Sequence, residues 1–230
     1  MLKRKSGLLK KAFQTSKQIA SYTTIKSILL LAVCFCFYKP ACVAQKVGLD
    51  QQVLIEMMEH RHEGAVQFNR GISNTTQTVA TLIPISVLAA GIIKNDKMTL
   101  KKGLYIAETV AASTFISYGL KYGFHRDRPF KTNPDIIPAG TGNSPSFPSG
   151  HTSVAFAAAT SLTIAYPKWY VAVPAYTWAA SVGYSRMYLG VHYPSDVLAG
   201  AVIGAGSAWL MYKANKWLFK KKPEMPRPTF

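Results

Sequence analysis

Five apolar runs, Thr78 to Ile93, Gly103 to Leu120, His151 to Tyr166, Tyr170 to Tyr184 and Val197 to Tyr212, narrow the folds open to this chain of 230 residues. Each is too long for a typical strand, and none alternates apolar with polar residues, so all five are predicted to be helices. The expected fold class is all-α, a helical bundle. Pro84 and Pro174 lie inside two of the runs and are expected to bend them. The length suits one domain, and 49% apolar residues suffice for a core or for several membrane spans.

A net charge of +17 invites a nucleic-acid reading, but the basic residues do not line a recognition helix or interleave with stacking aromatics. They occur in blocks, at residues 1 to 26, at Lys94, Lys97, Lys101 and Lys102, and from 213 to 227. Blocks that flank apolar runs anchor and orient membrane segments, so a membrane and not a nucleic acid is the expected partner. Ser27 to Tyr38 is a short apolar stretch behind a basic leader and before Cys42-Val43-Ala44. It falls short of the ~20 residues of a span and reads as a signal peptide cleaved after Ala44, with an uncleaved anchor or a lipid-modified Cys42 as alternatives. The remaining cysteines, Cys34 and Cys36, lie in the same stretch, so nothing downstream can form a disulfide or thiolate metal site. The expected organisation is therefore 1–44 signal peptide or anchor, 45–77 a polar amphipathic helical segment with Asp50 as its N-cap, 78–212 the core, and 213–230 a frayed basic tail.

Membrane spans and soluble core helices remain two readings of the five runs, because fifteen to eighteen residues is near the lower limit for a span, Glu108 interrupts the second, and the mean hydropathy is only +0.09. Charge distribution favours spans. If residue 45 begins outside, alternating passes deliver Lys94 to Lys102 and Lys213 to Lys222 to the cytoplasmic side, as the positive-inside bias requires. The same alternation places 121–150 and 185–196 together on the opposite face.

Those two segments carry the polar chemistry. Lys121, Arg128 and Arg186 supply positive charge suited to phosphoryl oxygens, and Arg forks match that geometry. Ser149, with the backbone N–H groups of Gly150 and His151, begins an apolar helix whose dipole favours an anion. Pro148 suits the entry to that helix. With no usable Cys and no Asp-rich cluster for Mg²⁺, the nucleophile must be a side chain or an activated water, and neither metal nor cofactor is expected. His192 precedes Asp196 by four residues, and a carboxylate on one imidazole nitrogen exposes the other for attack. His151 is the candidate general acid. Asp196 also stands where a helix N-cap would. His60, His62 and His125 read as caps or surface residues, Asp127 as a local counter-charge, and Tyr184, Tyr188 and Tyr193 as packing or interfacial aromatics. Arg126 either extends the phosphate grip or faces water.

Taken together, Lys121, six residues, Arg128-Pro129; Pro148-Ser149-Gly150-His151; and Ser185-Arg186, five residues, His192, three residues, Asp196 resemble the three-part signature of the type 2 phosphatidic acid phosphatase and vanadium haloperoxidase superfamily. The resemblance implies a helical bundle with the site at the ends of core helices, His192 as a nucleophile that becomes phospho-histidine, Asp196 orienting it, and His151 as acid. It implies that Lys121, Arg128, Ser149, Gly150 and Arg186 bind phosphate, without a metal. Membrane members commonly have six spans, so five to six are expected here. The expected function is a phosphatase of a bacterial-type inner membrane, its site facing the periplasm. Its substrate would be a phosphorylated lipid: phosphatidic acid, phosphatidylglycerol phosphate, undecaprenyl pyrophosphate or lipid A. The alternatives are a soluble periplasmic acid phosphatase, a vanadate-dependent haloperoxidase and a non-catalytic phospholipid-binding protein.

Overall fold

The computed structural model describes residues 48–218, which form α1 (Leu49–Glu59), α2 (Glu63–Ile93), α3 (Lys97–Phe124), the single turn α4 (Pro129–Thr132), α5 (Gly150–Ala165), α6 (Trp169–Tyr188) and α7 (Pro194–Leu218). The described residues contain no strand, in keeping with the all-α expectation. The helices outrun the apolar runs that announced them. The expected boundary at residue 78 falls inside α2, because the polar stretch from Glu63 continues the same helix. The first part of the expected tail, 213–218, is the last turn and a half of α7. The leader, its candidate cleavage site and all three cysteines lie outside the described residues.

Local chemistry sets the boundaries. Asp96 caps α3 by accepting from Met98 N at 2.8 Å and from Thr99 Oγ1 at 2.6 Å, and His62 caps α2 by accepting from Ala65 N at 3.2 Å. Asp50 does not cap α1. Gly48 holds that place, and Asp50 lies in the first turn with its carboxylate turned to other elements. Pro84 and Pro174 sit within α2 and α6, whose helical assignment runs through both.

The helix α5 lies at the centre, packed by α3, α6 and α7. Its Ala155, Ala157, Ala158 and Ala159 are fully buried, and Gly200 and Gly204 of α7 bring the two backbones together. A Cβ at 204 would stand 2.3 Å from Ser153 O, and one at 200 would stand 2.7 Å from Ser149 O. Small residues at such a seam replace side-chain interdigitation by direct backbone approach.

The distribution of polarity is the reverse of a water-soluble bundle. In α7 the buried positions are Asp196, Gly200, Gly204, Ser207, Ala208 and Asn215, while Leu198, Val202, Trp209 and Leu210 are exposed. In α2, Asn69, Ser73 and Thr76 are buried, while Leu82, Ile85, Ile92 and Ile93 face out. Two of the buried groups are paired across helices: Asn215 Nδ2 donates to Oε2 of the exposed Glu108 at 2.9 Å, and Tyr105 Oη donates to Ala208 O at 2.8 Å. Glu108, the acidic residue of its apolar run, thereby has a partner on α7. An apolar exterior over a polar-seamed interior suits lipid. By length and hydropathy, α2 and α7 qualify as spans among the described residues, fewer than the five to six expected.

Gly204→Ala should destabilise the detergent-solubilised protein by about 1–3 kcal/mol, the range for overpacking a filled seam. Gly206→Ala, where nothing lies within 4 Å, should be neutral or slightly stabilising. Thermal unfolding of the two variants side by side measures the difference.

Candidate active site

Helices and loops distant in the chain close one pocket, to which α2 contributes Thr76 and Gln77. The last turns of α3 present Thr114, Ser117 and Lys121; the loop before α5 presents Thr141 to Ser144; and Gly150, His151, Arg186 and His192 complete the wall of a cavity of about 470 Å³. Of the eight residues singled out by sequence, Lys121, Arg128, Gly150, His151, Arg186 and His192 line it. Ser149 and Asp196 do not. Both are fully buried behind the wall, where Ser149 Oγ accepts from Thr152 Oγ1 at 2.9 Å and its N–H donates to Asp196 O at 3.0 Å.

The spacing from Arg186 to His192 has a local cause. The helix α6 ends in a Schellman arrangement, with Gly190 N donating to Met187 O at 2.8 Å and Val191 N to Arg186 O at 3.2 Å. Gly190 takes φ +68, the left-handed conformation this cap requires. The reversal brings His192 back beside Arg186, the residue at which the cap begins. Two residues later Pro194 opens α7, and Asp196, in its first turn, accepts from Tyr193 N at 3.0 Å. Asp196 is therefore a reciprocal cap from inside the helix, one turn deeper than the N-cap position expected.

The cations are held by backbone as well as by one another's loops. Lys121 Nζ donates to Pro145 O at 2.6 Å. Arg128 Nε donates to Ser144 O at 2.8 Å and Nη1 to Val191 O at 2.9 Å. Gly142 packs flat on that guanidinium, where a Cβ would stand 2.2 Å from Arg128 Cζ. Arg186 Nη1 donates to Ser73 Oγ at 2.6 Å, while its buried Nε has no partner among the described residues. A buried unpaired donor on a guanidinium that lines a cavity is poised for an anion.

The imidazole of His192 is 2% exposed, and its Nδ1 lies 3.6 Å from Asp196 Oδ2 and 3.4 Å from Ser146 Oγ. Ser146, itself fully buried, donates its hydroxyl to Asp196 Oδ2. The carboxylate thus turns Nδ1 inward and leaves Nε2 as the nitrogen toward the cavity. Burial pushes the His192 imidazole well below its ordinary 6.5, and Asp196 only partly offsets this, so the ring is neutral at physiological pH. His151 is exposed at the mouth of the pocket, at the first turn of α5.

Sequence reasoning missed Ser146, Ser73 and the use made of Arg126. Arg126 does not line the pocket; Nη1 donates to Asp196 Oδ1 at 2.7 Å and Nη2 to Asp50 Oδ2 at 2.9 Å. Its place two residues before Arg128 was visible, but its partners lie 70 and 76 positions away. His60, His62 and His125 stand at helix ends and do not line the pocket; the His60 and His62 rings bond Glu56 O and Ala65 N, and the His125 peptide N–H donates to Lys121 O.

A three-motif cradle at the ends of core helices, with a histidine and carboxylate behind it, defines a class, and residues 102–220 match the family model described as PAP2 superfamily. The chain belongs to that superfamily. Among its relatives, the lipid A 1-phosphatase of Porphyromonas gingivalis is 33% identical over 165 residues, 70% of this chain and 35% of that protein. The lipid A 4'-phosphatase of Bacteroides thetaiotaomicron is 35% identical over 94 residues, 40% of this chain and 42% of that protein. This chain thus spans less than half the length of either. The crystal structure of Aquifex aeolicus LpxE superposes with a TM-score of 0.64 at 25% identity, covering 75% of this chain and 99% of that one.

A histidine kept neutral by burial stabilises the fold only while it stays neutral. With its folded pKa below 6.5, the unfolded chain binds the extra proton first, so this contribution is complete above 6.5 and is lost as pH falls below it. His192→Gln should therefore flatten the fall of the thermal midpoint between pH 7 and pH 4 relative to the parent protein. Midpoints measured in one detergent across that range give the comparison.

Proposed function

We propose that this protein is a membrane-embedded phosphatase that removes a phosphate monoester, or the terminal phosphate of a pyrophosphate, from a lipid through a phospho-histidine at His192. The observation that carries the reading is the convergence of Lys121, Arg128 and Arg186 around His192 in one cavity, with Arg186 Nε unpaired. Three cations and the N-terminus of α5 match the charge that a transferring phosphoryl group spreads over its equatorial oxygens.

In the first half-reaction His192 Nε2 attacks phosphorus as the bond to the leaving oxygen breaks, and His151 gives that oxygen its proton. Water then attacks the phosphoryl-imidazole. His151 takes a proton from it, the P–N bond breaks, and inorganic phosphate leaves with His192 neutral again. Asp196 and Ser146 hold Nδ1 throughout. The charge balance needs no metal, which EDTA tests directly.

A lipid substrate is supported by the apolar exterior of α2 and α7, which would place acyl chains beside the pocket. Thr114 and Ser117 on the pocket wall suit a headgroup with hydroxyls, and two relatives carry the name of lipid A phosphatases. Five spans, α2, α3, α5, α6 and α7, would place the site at the periplasmic face, because the Lys94 to Lys102 turn and the end of α7 lie at the helix ends remote from it. Lys102 over the Tyr166 ring at 4.2 Å and Lys213 over Trp209 at 5.2 Å suit an interface at that remote end.

Phosphate release by purified protein in EDTA, compared across lipid A, undecaprenyl pyrophosphate, phosphatidic acid, phosphatidylglycerol phosphate and an aryl phosphate, tests the reading. Turnover of at least one lipid should exceed that of the aryl ester, and His192→Ala should lower it by on the order of 10⁴ or more. Preference for the aryl ester, together with extraction without detergent, would favour a soluble broad-specificity phosphatase. Turnover lost in EDTA would refute the metal-free mechanism.

A further inference from the structure

Asp50 belongs to a helix outside the residues matched to the family, 102–220, yet it is wired into the centre of the site. Its Oδ1 accepts from Ser195 N at 3.0 Å, and its Oδ2 accepts from the Ser195 hydroxyl and from Arg126 Nη2 at 2.9 Å. The other terminal nitrogen of that guanidinium, Nη1, donates to Asp196 Oδ1 at 2.7 Å and to Ser195 Oγ at 2.7 Å. Arg126 lies 4.0 Å over the Tyr193 ring, which holds the fork from below. One arginine therefore clamps two carboxylates, the outer partly exposed and the inner fully buried.

The clamp divides the two oxygens of the inner carboxylate. With Oδ1 held by Arg126, only Oδ2 is presented to Ser146, Tyr193 N and His192 Nδ1. Asp50 also fixes the peptide N–H of Ser195, the residue before Asp196, and so the backbone from which that carboxylate springs. There is an electronic side as well. A guanidinium bonded to Asp196 alone would draw its negative charge away from His192, and a second carboxylate on the same guanidinium opposes that pull.

Asp50 is not needed merely to dock its helix. Leu54, fully buried, packs with Ile136 and Tyr193, and Arg61 Nη1 donates to Ile137 O at 2.7 Å, so α1 has other fastenings. We propose that Asp50 is a positioning residue, which acts through Arg126 to set the Asp196 carboxylate and thereby aim His192 at phosphorus. The proposal rests on the phospho-histidine reading above.

Full-length protein in detergent, turning over whichever lipid of the panel it hydrolyses fastest, provides the test. Asp50→Asn keeps an acceptor for Ser195 N but removes the charge, and Asp50→Ala removes both. Each should lower kcat by roughly tenfold, the factor associated with one charge-assisted hydrogen bond, with KM unchanged because Asp50 does not line the pocket, and with the folded protein retained at the assay temperature. In an Arg126→Ala background, Asp50→Asn, which keeps the acceptor for Ser195 N, should have no further effect on kcat. Glu59→Gln, which removes an exposed carboxylate from the other end of α1, should match the parent protein. Parental kcat in both Asp50 variants, losses additive with Arg126→Ala, or losses that only track unfolding would each overturn the inference. A dead His192→Ala beside an unimpaired Asp50→Asn would sink this role alone, whereas turnover retained by His192→Ala would sink the phospho-histidine reading and this role with it.

Discussion

The buried carboxylate of Asp196 is the constraint around which the rest of the site is arranged. An unexposed charge must be met by donors, and its own helix supplies only one, the N–H of Tyr193. The others come from Ser146 in the loop before α5 and from Arg126 after α3, while the Asp196 carbonyl receives the N–H of Ser149 at the start of α5. Satisfying one side chain and its peptide thus draws three distant segments to a single point. The cationic pocket lined by Lys121, Arg128 and Arg186 forms on the open side of that junction, and His192 lies between the two.

The same economy explains the bundle. Because the seam between α5 and α7 is built from Ala, Gly and Ser, these helices can approach until backbone meets backbone, as α7 does at Ser153 O. Such a seam buries little apolar side-chain area of its own. The bundle holds together through close packing and polar pairing, Asn215 with Glu108 and Tyr105 with Ala208 O among the pairs, while Leu198, Val202, Trp209 and Leu210 of α7 face outward. A bundle so built keeps its helix ends, and hence the cradle, in fixed register.

Much of this could be read along the chain. Helix number and rough position followed from the apolar runs, because a run without alternation leaves few alternatives. The cradle residues followed from short spaced motifs, and the spacing itself has a physical cause visible in the structure: the cap around Gly190 turns His192 back on Arg186. The ends of the helices were less readable. Asp50 and Asp196 both looked like N-caps by position, since a carboxylate near a helix start usually is one, yet each serves partners on other elements. Polar stretches such as 63–77 looked separate from the core because hydropathy does not register a helix that continues with a polar inner face.

The sequence by itself determined the helical class, the superfamily signature and the inventory of groups able to grip and attack a phosphate, because these depend on residue type and on spacing within a few turns. Only the tertiary structure decided that Ser149 stands behind the pocket and not in it, that Ser146 and Ser73 complete the hydrogen bonding of His192's carboxylate and of Arg186, and that Arg126 joins Asp196 to Asp50. The reason is one of range. Helix caps and motif geometry are settled by neighbours in the chain, whereas the partner of a buried charge is whichever donor the packing of distant helices brings within about 3 Å.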